Sequence, residues 1–184
     1  MSRQYWEETL AWATADGTAV ANTAAETIIF PNITIPANFM QDGRCLKLSL
    51  MGRWGATATP TLTIRVRWGG VGGTVLTATG ATVMSAQTAA QWNTDVIIQT
   101  RVNGATGSLY AMGKTIFGTA TVPTAGTATN LGFASMMGSA GIATPAAVTV
   151  DLTADTALSV SAQWSAASAS NTIQGHIYTV EALN

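Results

Sequence analysis

The feature that most constrains this chain is a strict alternation of apolar and polar side chains. From Thr61 to Trp68, Leu62, Ile64, Val66 and Trp68 fall on one side of an extended backbone, while Thr61, Thr63, Arg65 and Arg67 fall on the other. A period of two belongs to a strand with one buried face. Leu46, Leu48, Leu50 and Trp54 repeat the pattern against Lys47, Ser49 and Arg53, with Gly52 in the apolar register. Leu158, Val160, Ala162 and Trp164 repeat it against Ser159, Ser161 and Gln163. Each of these strands ends on a tryptophan that reads inward.

Shorter segments rich in Val, Ile, Thr and aromatic residues fill much of the remaining chain: Thr27 to Ile35, Thr74 to Val83, Asp95 to Val102, Leu109 to Phe117, Leu131 to Ser135, Val148 to Leu152 and Thr172 to Leu183. Turn residues such as Gly69 to Gly73 and Asn103-Gly104 bound them. Ser85 to Trp92 has alanines spaced for one helical turn. Thr9 to Ala25 is alanine-rich, but its threonines and Gly17 favour extended structure. The expected fold is all-β: a single jelly-roll-like β-sandwich over residues 1–184, with about eight to ten antiparallel strands and a short N-terminal arm over residues 1–10.

Only 9% of residues are charged and the net charge is −1. Nucleic-acid binding, which rests on clustered Lys and Arg, is not expected. Two stretches lack charge, Trp68 to Thr94 and Thr115 to Val150, but Gly, Pro, Ser and Thr interrupt both too often for a spanning helix, so membrane insertion is not expected either. The N-terminus has no basic stretch followed by an apolar run, as a secretory signal would.

Catalytic constellations are hard to assemble from these residues. Cys45 and His176 are each the sole residue of their type, which rules out thiolate zinc clusters and His-rich metal sites. A Cys-His pair would require those two to meet, and no Gly-x-Ser-x-Gly elbow marks a serine nucleophile. Gly113-Lys114-Thr115 resembles the end of a phosphate loop, yet Ser108 stands where its first glycine belongs, and the sequence reads as strand. Asp151 and Asp155 could contribute to a calcium site but lack a recognisable loop pattern. Asn32-Ile33-Thr34 fits a glycosylation acceptor. No catalytic residue, cofactor or metal is expected.

The surface is more informative. The chain has 32 Ala, 30 Thr and 18 Gly, so its outward positions are mostly small and neutral and cost little to desolvate against another protein. That points to an assembly component and to self-association. Exposed aromatic residues anchor interfaces or stack on sugars. Trp54, Trp68 and Trp164 read as core by register; Tyr5, Trp6, Trp12 and Trp92 fall outside clear alternation and are the candidate partner-binding residues.

Two stretches carry a family resemblance. Ile33-Thr34-Ile35-Pro36-Ala37-Asn38-Phe39-Met40-Gln41-Asp42-Gly43-Arg44, leading into the Leu46 to Trp54 strand, and the ending from Ala162-Gln163-Trp164 to Val180-Glu181-Ala182-Leu183-Asn184 resemble small jelly-roll structural proteins of tailed bacteriophage virions. Decoration, or cement, proteins that cap capsids as homotrimers are nearest in character. The resemblance implies an eight-stranded double-sheet domain and a virion protein made in the host cytoplasm, with copies of itself and the major capsid protein as partners. Tail and fibre proteins share the texture, so a receptor- or glycan-binding tail module is the alternative.

Overall fold

A computed structural model describes residues 7–57, 59–119, 132–141 and 144–183. Every regular element among them is a β-strand: β1 (Glu7–Trp12), β2 (Val20–Ala21), β3 (Thr27–Ile28), β4 (Ile33–Ile35), β5 (Cys45–Ala56), β6 (Thr61–Trp68), β7 (Thr74–Thr79), β8 (Thr82–Val83), β9 (Gln87–Val102), β10 (Gly107–Phe117), β11 (Phe133–Ser139), β12 (Val148–Val150), β13 (Thr156–Trp164) and β14 (Thr172–Leu183). The all-β expectation holds, and the three alternating segments are β6, the body of β5 and most of β13.

These fourteen strands exceed the eight to ten expected because five have only two or three residues, too few to show a period. Pro31 separates β3 from β4 and Gly80 lies between β7 and β8, so each of those expected strands is two. The proposed helical turn at Ser85 to Trp92 is instead the start of β9. Ala89 there has a φ of 53°, and the pairing with β5 shifts register between Trp54 and Ala56. This irregularity hides the alternation that resumes at Ala90, Trp92 and Thr94. Residues 7–10 of the expected N-terminal arm are likewise sheet, since β1 pairs with β14 from Glu7 to Trp12; residues 1–6 lie outside the described residues. The expected strand from Leu131 begins at Phe133; Leu131 itself lies outside the described residues.

All pairings are antiparallel, and the strands form one continuous sheet in the order β1-β14-β5-β9-β10-β11-β7-β6-β13-β3, with β2, β4, β8 and β12 attached beside it. The sheet folds over on itself. Phe30, just after β3, packs its ring edge-on against Tyr178 of β14 at 5.0 Å and lies 6.3 Å from the Trp92 ring of β9. Gly175 makes this closure possible, because a Cβ there would sit 2.1 Å from the Phe30 ring.

One contiguous apolar cluster fills the interior. It includes Leu46, Leu48 and Leu50 of β5, Leu62, Ile64 and Val66 of β6, and Trp54, Trp68, Trp92 and Trp164. Burial of each such side chain contributes about 1.5–3 kcal/mol. No disulfide is available, so packing and the backbone ladder carry the fold.

Candidate functional site

The two outer surfaces of the curled sheet are finished differently. Over β6 and β13 the chain covers itself. Glu26, between β2 and β3, receives hydrogen bonds from Arg67 Nε (2.6 Å) and Nη2 (2.8 Å), Arg65 Nη1 (3.2 Å) and Ser161 Oγ (2.5 Å). Asn32 Oδ1 accepts one from Ser159 Oγ at 2.7 Å. Ser159 and Ser161 are fully buried as a result. Burial works to raise the Glu26 pKa, but the hydrogen bonds from Arg67 and Ser161 and the two guanidinium charges outweigh it and hold the carboxyl below its ordinary range.

Over β14, β5, β9, β10 and β11 the surface is open. Register sets its side chains in cross-strand rows. One row runs Ile177, Met51, Asn93, Ile116 and Ala134; the next runs Trp12, Thr179, Ser49, Asp95, Lys114 and Met136; a third contains Glu181, Lys47, Ile97 and Met112. Large apolar side chains stand exposed among them: Met136 at 71%, Trp12 at 60%, Ile177 at 56%, and Met51, Ile97 and Met112 to a lesser degree. Lys47 donates to Glu181 across 3.0 Å, and Ser49 Oγ donates to Asp95 at 3.2 Å. The Lys47 ammonium holds Glu181 below the ordinary carboxylate range, while hydrogen bonding to Glu181 and its negative charge push Glu7 above it. Lys114 is exposed and forms no ion pair among the described residues.

A groove of about 440 Å³ lies at one end of this face, lined by Met51, Ile116 and Ile177 with Gln91, Asn93 and His176. Its floor dips at Gly52, where a Cβ would meet the Gln174 carbonyl at 2.0 Å and Trp92 Nε1 at 2.9 Å. His176 occupies a β-bulge, the irregularity between Gly175 and Ile177. Its Nδ1 lies 2.7 Å from an Asp16 carboxylate oxygen.

The structure reassigns several residues singled out from the sequence. Trp92 is corrected from interface to core: it is 2% exposed, its indole Nε1 donates to the Gln174 carbonyl at 3.2 Å, and it contributes only to the floor of the groove. Trp12 is exposed at the end of β1. Tyr5 and Trp6 lie outside the described residues. Cys45 and His176 stand toward opposite ends of the β5–β14 ladder and do not meet, and burial pushes the Cys45 thiol up rather than activating it. Gly113-Lys114-Thr115 is mid-strand in β10, with Thr115 buried against Thr94 at 2.7 Å. Asp151 caps its own turn through Thr153, and Asp155 accepts from the Ala37 amide at 2.8 Å. No group of three or more His, Cys, Asp and Glu side chains gathers among the described residues.

The residues that sequence reasoning missed are Met51, Ile97, Met112, Met136 and Ile177. The available signal was an apolar side chain in the polar register of an alternating strand, as Met51 follows Lys47 and Ser49.

No family model matches the chain, and no curated protein matches it. Among solved structures, the CBM2 module of the evolved Dit of Lactobacillus casei BL23 phage J-1 is similar at 9% identity and a TM-score of 0.36, over 99% of this chain and 98% of that one.

Proposed function

We propose that this chain is a non-enzymatic structural module of a tailed-bacteriophage particle, a sandwich of jelly-roll type whose open outer face is buried against neighbouring protein. The observation that supports this most is the contrast between its two surfaces. Where β6 and β13 face outward, the chain supplies its own cover and pairs its charges; from β1 across to β11 it leaves methionine, isoleucine and tryptophan in water. Contiguous exposed apolar surface of this kind marks protein interaction sites, and methionine adapts its shape to a partner. The phage setting comes from the resemblance of residues 33–44 and 162–184, and attachment to the outside of the head as a decoration protein is the placement that resemblance suggests.

The test is occupancy on phage heads and tails prepared separately. Met136→Lys is expected to lower occupancy at least tenfold while leaving the melting temperature within about 2 °C, as a substitution at an exposed site should. Unchanged occupancy on both would overturn the reading.

A second reading, a glycan-binding tail module, is favoured by the groove. Its volume falls in the range of small-ligand sites, and Gln91, Asn93 and His176 offer hydrogen-bonding groups for sugar hydroxyls beside the apolar Met51 and Ile177. Saturable binding of host-surface glycan that is lost in Asn93→Ala would select it over the first.

A further inference from the structure

We infer that the open face docks a second copy of this chain, face to face, about a two-fold axis that runs along the strands between β9 and β10; this rests on the protein-docking reading above and names the partner. Charge selects the arrangement. Asp95 and Lys114 are directly opposite on β9 and β10, with Ile97 opposite Met112 in the next outward row. A two-fold axis between these strands lays each row on itself with β9 over β10. Asp95 of one copy then meets Lys114 of the other, twice, and Ile97 meets Met112, twice. An axis across the strands would instead set β9 on β9 and bring like charges together, so the pattern selects one isologous arrangement.

The size is also adequate. The axis overlays β9 on β10 and β5 on β11, so four strands at ~4.8 Å spacing and about eleven residues at ~3.4 Å each give a contact of roughly 19 Å by 37 Å, near 700 Å². Standard interfaces take about 600–1,000 Å² from each partner. The pair is two-fold, in place of the three-fold association that the phage resemblance implies.

Sedimentation equilibrium on the full chain across the micromolar range tests this. The expected mass is that of two chains. Lys114→Glu is expected to weaken the pair at least tenfold by setting two carboxylates opposite Asp95, and the swap Asp95→Lys with Lys114→Glu is expected to restore it. Met136→Lys, at the margin of the contact, is expected to weaken it as well. A monomer, a trimer, or a dimer indifferent to Lys114→Glu and Met136→Lys would overturn the inference. A monomer whose Met136→Lys variant still loses particle occupancy would overturn the pair alone and leave the proposed function standing.

Discussion

Single side chains decide how this sheet closes. Gly175 gives its Cβ space to the Phe30 ring, so Gly175→Ala is expected to cost about 1–3 kcal/mol through overpacking, read as a lower denaturant midpoint. Glu26 acts on the opposite outer surface. Its lowered pKa means that the stability it contributes is fully present above the ordinary carboxylate range and is lost as pH falls through its folded value. Glu26→Gln is therefore expected to be less stable than wild type at pH 7, with the difference vanishing in acid; a deficit that persists at pH 2 would contradict this. Neither residue was legible in the sequence. Gly175 reads as one more glycine in a glycine-rich chain, and the partners of Glu26 are 39 to 135 positions away. The inward Trp54, Trp68 and Trp164, by contrast, were legible because each ends a run with an unbroken period. Trp92 was not, because the irregularity at Ala89 precedes it.

At the scale of elements, the long strands β5, β6 and β13 follow from alternation and β14 from its Val, Ile, Thr and aromatic content, whereas the two-residue strands depend on which neighbours offer free backbone groups. The β9–β10 pair carries a polar contact inside the core. Thr94 and Thr115 share a 2.7 Å hydrogen bond with both residues fully buried. Thr115→Val strands the Thr94 hydroxyl and is expected to cost about 1–3 kcal/mol, while the double Thr94→Val, Thr115→Val variant recovers most of the loss. Thermal melts of the single and double variants measure this coupling, and additive losses would contradict it. The exposed Met112 and Ile97 on the other side of the same strands escaped the sequence reading for a simple reason. Scattered surface apolar residues are ordinary along a chain; only cross-strand register turns them into a patch.

For the molecule as a whole, one surface is covered by its own chain and the other leaves large apolar side chains exposed, the face that the proposed function buries against a neighbour. Six of the seven methionines make this directly measurable. Met51, Met112 and Met136 stand on the open face, whereas Met40, Met84 and Met137 are buried and serve as internal references. Oxidation of an accessible thioether to sulfoxide is read residue by residue by mass spectrometry. The decisive measurement compares oxidation rates in chain dissociated to monomers with those in chain assembled on particles. Met51, Met112 and Met136 are each expected to be protected at least fivefold on assembly while the buried three stay slow in both states. Equal oxidation of Met136 in the two states would contradict it.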